Sequence, residues 1–277
     1  MLILEQFAKS QNRSDIYDAC RLACQRHFGI PETPGPVNLN AIARANDIEV
    51  VYTTDTQYEG MIERDASGRA TIVLRKGMPR QRERFTLAHE LGHWLLQQEL
   101  IGTTKGQLFR GLSTNRVEMR QEEYLANLLA AELLMPFHAT KGCFDWTHPL
   151  QSTFRVCSRF GVSRIAAVRR VADLFSTNLL LLQLLGYKSK SGSIAQIDDA
   201  VLATAKGKAV FARNTTRLLE VYSFSLFEQE HTIEMKLRTI KGDIATAFET
   251  SFRSRPIPHS FALGVVAKWP LEQGNLS

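Results

Sequence analysis

The sequence predicts a mixed α+β chain, a largely helical portion that holds a small β-hairpin followed by a β-rich portion. Three observations carry that prediction. Apolar residues recur at helical spacing in long segments between Ser14 and Met135. Strand-like alternation flanks the turn residues DASG at positions 65–68. Beyond Asn178 the apolar period shortens toward two. At 277 residues the chain exceeds the usual size of one domain. Its 44% hydrophobic and 22% charged composition excludes disorder, collagen-like repeats and a coiled coil.

Taken in order, residues 14–28 (SDIYDACRLACQRHF) read as an amphipathic helix with Ser14 as its cap candidate. Pro31, Pro34 and Pro36 then break the chain, VNLNAIARA at 37–45 predicts a short helix, and the β-branched run IEVVYT at 48–53 predicts a strand. Segments 58–64 and 70–75 pair as a hairpin. From Gln81 to Leu100 a helix is apolar almost all round, which makes it central to a core. A Gly-rich polar connection leads to a second long helix at about 118–135, stopped by Pro136. Two short helices divided at FGVS fill residues 148–175, and strands are expected near 179–185, 218–227, 232–240 and 261–266.

No apolar run reaches the roughly 20 residues of a membrane span, and MLILEQFAKS lacks the basic lead and apolar stretch of an export signal. Cys20, Cys24, Cys143 and Cys157 are too few and too scattered for a disulfide framework. A cytoplasmic setting is therefore expected. Cys20 and Cys24, four apart on a helix, read as small core residues in preference to metal ligands. The net charge of +6 permits acidic partners, but 34 basic and 28 acidic residues interleave, so charge alone selects none.

The central helix contains His89, Glu90 and His93 in the order H-E-L-G-H. Residues four apart on a helix point the same way about one turn apart, so both imidazoles can grip one ion. Glu90 projects beside that ion, free to take a proton from water and pass it to a leaving amine. A catalytic zinc site needs three protein ligands and one open position. Glu123, on the next long helix, is the leading third ligand, with Glu99, Glu118, Glu122 and Glu132 as competitors. Glu99 is rotated well away on a straight helix. Asn127 shares the face of Glu123 and is expected to hydrogen-bond a ligand, while Ala126, Ala130 and Ala131 allow close helix packing. Leu96 and Glu99 stand where the longer H-E-x-x-H-x-x-G-x-x-H pattern needs Gly and His, which excludes that class.

RFTLAHELGHWLL followed by EYLANLLAAELLMP resembles the ImmA/IrrE metallopeptidases, in which an H-E-x-x-H helix precedes E-x-x-A-N-x-x-A and a terminal Leu-Met-Pro. The resemblance extends to PVNLNAIARANDIEVVY, the Gly60 hairpin and the arginine-rich residues 80–84, about residues 10–175 in all. It implies a zincin-like fold, His89, His93 and Glu123 as zinc ligands and Glu90 as general base. Leu125 departs from the pattern, since many members carry a second acidic residue there. Manganese or iron can compete with zinc for such donors. The resemblance further implies a protein substrate of the helix-turn-helix repressor type, cut in a stress or mobile-element response. The hairpin strand 70–74 is a candidate edge for substrate addition, and His138, after Leu-Met-Pro, is a candidate for oxyanion stabilisation.

Three segments follow: a zincin-like metallopeptidase domain at 1–147, a helix-turn-helix-like segment at 148–177, and a β-rich domain at 178–277. By analogy with family members that carry a GAF-type sensor, the last is expected to regulate. Residues 151–175 hold Arg155, Arg159, Arg164, Arg169 and Arg170 against Asp173, which suits phosphate contact. Their apolar face favours packing over DNA binding. The competing functional readings are a non-proteolytic DNA-binding regulator and an antitoxin-like module that holds a partner without cutting it.

Overall fold

The computed structural model describes the backbone of residues 3–30, 35–101, 116–147 and 149–176, and strand segments between 178 and 269, with side chains described in the first four of these ranges apart from residues 101, 149 and 150. The chain divides into two compact units, Met1–Ala139 with Phe160–Val162, and Thr140–Arg159 with Ser163–Ser277.

The first unit begins with α1 (Ile3–Ser10), a helix the periodicity argument had not isolated, which buries Ile3 and Phe7. In α2 (Ile16–Phe28), Asp15 and not Ser14 is the cap, its carboxylate accepting the amides of Tyr17 and Asp18. Cys20 and Cys24 are buried along α2, and the Cys24 thiol points at the Leu129 carbonyl 3.8 Å away, so the core reading of these cysteines holds. Asn38 caps α3 (Leu39–Ala45).

Strands β1 (Glu49–Thr53), β2 (Gly60–Arg64) and β3 (Ala70–Arg75) form a sheet in the order β1-β3-β2. β1 runs parallel to β3, and β2 antiparallel to it. Gly68, at φ +87°, takes the left-handed position of the β2–β3 turn, which Asp65 braces by accepting the Ser67 amide at 2.8 Å. Ala70, Ile72 and Leu74 alternate inward along β3. The expectation that strand 70–74 offers an open edge is overturned: β3 is paired on both sides, and among the described residues the edge strand that packs by α4 is β2.

α4 (Arg80–Ile101) and α5 (Arg116–Leu134) are the spine of this unit. Leu87, Ala88, Leu91, Leu95 and Leu96 of α4 are buried, as are Leu125, Leu129 and Leu133 of α5. At roughly 1.5–3 kcal/mol per fully buried large aliphatic side chain, this two-helix seam is a main source of the unit's stability. α6 (Phe137–Lys141) follows Pro136.

In the second unit, α7 (Pro149–Phe160) and α8 (Arg164–Leu174) match the two expected short helices, with Ser163 capping α8 through the Ala166 amide. Val156, Val168 and Val171 are buried, and Phe144, Trp146 and Phe175 stack at their edges. The β-rich remainder forms an eight-stranded sheet: β4 (Asn178–Ser189), β5 (Gly192–Ala203), β6 (Val210–Phe211), β7 (Leu219–Phe227), β8 (Thr232–Thr239), β9 (Ile244–Ala247), β10 (Ser251–Ile257) and β11 (Ser260–Trp269). Its long antiparallel pairs, β4 with β5 and with β11, align eleven and ten residue pairs of backbone. The Tyr222, Phe224 and Phe227 side chains lie outside the described residues. No described helix is long and apolar enough to cross a membrane.

Candidate metal centre

The site is set by how closely α4 and α5 cross. A Cβ at Gly92 would lie 2.8 Å from the Ala126 carbonyl oxygen and 3.3 Å from its Cα, so only glycine fits against this backbone. The small residues expected on α5 therefore meet a bare glycine on α4. One helical step from Gly92 stands His93, and one turn before Ala126 stands Glu123.

Three donors converge there. His89 Nε2 and His93 Nε2 are 3.1 Å apart. Glu123 Oε2 is 3.3 Å from His89 Nε2, and Glu123 Oε1 is 3.4 Å from His93 Nε2. Ligand atoms of these three residues all lie within 4.8 Å of one another. A tetrahedral zinc with bonds of roughly 2.0–2.2 Å to N and O requires neighbouring donors about 3.4 Å apart. The three observed edges meet that requirement, and two ring nitrogens facing each other at 3.1 Å cannot both carry protons. The donor set fits a divalent cation. The His89 ring is stacked on Phe85, one turn earlier, with centroids 6.1 Å apart.

Of the competing carboxylates, Glu99 pairs with His27 at 2.7 Å and with Arg26, and Glu132 accepts the Phe137 amide at 3.0 Å. Glu118 lies in the first turn of α5. Glu122 approaches His93 from the opposite side of the ring, its Oε1 3.3 Å from Nδ1. The sequence marked Glu122 only as a rival ligand. The 100° step between consecutive helix residues separates Glu122 from Glu123 but does not by itself place it behind His93 on the neighbouring helix. Asn127 donates to the backbone carbonyl of Glu123 at 2.8 Å and not to its carboxylate. His138 turns to Arg21, with 3.0 Å between Nε2 and the guanidinium, and so belongs to a different cluster from the triad.

Glu90 lies beside the triad, only 7% exposed. Gly60, the first residue of β2, presses against it: a Cβ there would stand 3.1 Å from Glu90 Oε1 and would run into Thr86 Cγ2. Burial raises the Glu90 pKa, the electrostatic influence of the neighbouring His93 and His89 pulls it back, and Glu123 adds to the rise. At His93 burial works to lower the pKa, but hydrogen bonds to Glu122 and Glu123 and the charges of Glu90 and Glu123 outweigh it and raise the value to about 9. Glu123 is held far below the usual carboxylate range, first by its hydrogen bonds from His89 and His93.

Residues 43–172 match the family model described as the IrrE N-terminal-like domain, a peptidase family. That segment is similar to the IrrE N-terminal-like family and makes up just under half of the chain. It contains His89, Glu90, His93 and Glu123, and begins inside α3. A solved structure described as a Mycobacterium tuberculosis transcriptional regulator is similar over 96% of this chain and 80% of its own, at 15% identity and a TM-score of 0.48. No curated protein matches the chain.

The arginines within the IrrE-like segment are not all available to a polyanion. Arg170 is 3% exposed, and desolvation lowers the pKa of the half-buried Arg169. Arg155, Arg159 and Arg164 remain exposed.

Proposed function

We propose that this chain is a zinc-dependent endopeptidase in which His89, His93 and Glu123 hold the metal and Glu90 moves the protons. The observation that carries the reading is the triangle of donors with edges of 3.1, 3.3 and 3.4 Å, drawn from two helices of a peptidase-family domain. A divalent cation held there supplies Lewis-acid polarisation of a peptide carbonyl and of the attacking water. Glu90 takes the proton of that water at a carboxylate oxygen, holds it with the help of a burial-raised pKa, and delivers it to the departing amine. Because both imidazoles use Nε2 toward Glu123, Glu90 is left outside the donor triangle and keeps its oxygens for this work. A substrate chain can run along the open edge of β2, which begins at Gly60 over the Glu90 carboxylate.

The substrate class follows by family analogy, a transcriptional repressor of the helix-turn-helix type cut in a stress or mobile-element response. Manganese or iron can replace zinc at the same donors. In this reading residues 1–147 act as the peptidase, 148–177 are a helix-turn-helix-like packing element, and 178–277 regulate cleavage. The buried Arg170 and half-buried Arg169 count against DNA contact as the main role of α8.

The test is the Glu90→Gln variant. Zinc-loaded wild type is incubated with a proteome-derived peptide library, and new N-termini are read by mass spectrometry. The variant is expected to keep its metal and to lose about 10²-fold to 10⁴-fold in cleavage. Cleavage by the variant at the wild-type rate overturns the assignment of the base. Metal-loaded wild type that cuts nothing in the library favours the reading of a module that binds without cutting.

A further inference from the structure

The two adjacent acids of α5 divide between the two nitrogens of one imidazole, and we infer that Glu122 is the positioning residue that fixes His93 as a metal ligand. The inference rests on the proposed metal site. Glu122 is 5% exposed, in a helix whose next residue, Glu123, has a side chain 61% exposed. Burying a carboxylate costs several kcal/mol unless it is paired. Its Oε1 lies 3.3 Å from His93 Nδ1, while the Glu123 Oε1 lies 3.4 Å from His93 Nε2. The two carboxylates thus bracket the ring.

The chemical consequence is a fixed tautomer. Nδ1–H donates to the Glu122 carboxylate, which leaves the Nε2 lone pair directed at the point shared with His89 and Glu123. The carboxylate also increases the electron density of the ring and so strengthens Nε2 as a donor. His89 has no such support: its Nδ1 is buried and makes no hydrogen bond among the described residues, and the ring is held by its stack on Phe85. The two histidines of one motif are therefore unequal, with His93 the anchored ligand and His89 the weaker one.

The test reads metal binding directly in the full chain, without activity. Zinc affinity is measured by competition with a chromophoric chelator for wild type, Glu122→Ala and Glu122→Gln, and the zinc-loaded proteins are examined by long-range ¹H–¹⁵N correlation at His93. Glu122→Ala is expected to bind zinc about 10-fold to 100-fold more weakly. Glu122→Gln, whose amide oxygen still accepts from Nδ1–H, should recover most of that loss and keep the Nδ1–H signal. Wild-type affinity in Glu122→Ala overturns the inference, as does a Gln variant as weak as Ala or a Gln variant that has lost the Nδ1–H signal. If Glu122→Ala does not fold, the Gln variant and its nitrogen shifts decide alone. Wild type that takes up no zinc refutes the metal site itself, a separate outcome.

Discussion

Gly92→Ala asks whether the α4–α5 crossing distance is what builds the site. The added methyl would meet the Ala126 carbonyl oxygen at 2.8 Å, its Cα at 3.3 Å and its carbonyl carbon at 3.4 Å. These are backbone atoms that cannot rotate away, so the helices must part by several tenths of an ångström. Overpacking of this kind costs about 1–3 kcal/mol. Replacing glycine by alanine inside a helix returns about 0.8–1.0 kcal/mol of propensity. The metal-free variant should thus lose between almost nothing and about 2 kcal/mol.

The metal should register the change more strongly. The His89–His93 edge of 3.1 Å lies within α4 and survives, but the edges of 3.3 and 3.4 Å to Glu123 span the crossing and lengthen with it. A folded chain at metal 100 times its dissociation constant gains about 2.7 kcal/mol, and each tenfold loss of affinity removes about 1.4 of that. Thermal unfolding with chelator and with zinc, beside competition titration, separates the two effects. The expected pattern is a small shift in the metal-free midpoint and at least a tenfold loss of zinc affinity. Unchanged affinity in a folded Gly92→Ala protein would refute the argument that this contact sets the donor triangle.

Two further outcomes follow from the same geometry. Gly60→Ala drives a methyl into Thr86, whose hydroxyl is tied to the Arg82 carbonyl at 3.0 Å, and to 3.1 Å from the Glu90 carboxylate. It should therefore reduce peptide cleavage at least tenfold by misplacing Glu90 while leaving zinc affinity within a few-fold of wild type. Equal loss of both would mean that the strand, not the base, is disturbed. The second outcome is a pH dependence of the metal-free chain. His93 rises from 6.5 to about 9 on folding, so its contribution to stability is complete below 6.5 and is lost as pH climbs through about 9. Glu123 is depressed from 4.5, so its contribution is complete above 4.5 and is lost as pH falls below that value. Denaturant midpoints of chelated protein should peak between these limits, and zinc uptake near pH 7.5 should release about one proton that is not released above pH 9. A flat midpoint from pH 6 to 9.5 would refute the His93 assignment.

Much of this site was legible because helices are periodic. H-E-L-G-H gives two imidazoles on one face without further information, and Glu123 sits at a fixed offset from Ala126 and Asn127 on a helix whose small residues announce a close neighbour. Partner choice across elements was less legible. That β3 would be the middle strand depends on β1 joining in parallel from beyond the hairpin, a long-range pairing that alternation along 70–75 does not encode. Asp15 won the cap of α2 over Ser14 by a single residue, within the usual uncertainty of helix ends. His138 was drawn to Arg21, a residue 117 positions earlier that no local pattern links to it.

The same distinction explains why Glu122 reads from the sequence as a rival ligand and not as the partner of His93 Nδ1. Spacing rules compare residues on one helix, and by those rules two consecutive acids point about 100° apart and cannot share a task. An imidazole, however, presents its two nitrogens on opposite sides of a ring, so adjacent acids can both reach His93 once α5 lies against α4 at Gly92. The close crossing, the buried acid behind the ring and the exposed acid in front of it are thus one device. A glycine at 92 brings the backbones together, and only at that separation are Glu122 and Glu123 held on the two sides of the same ligand.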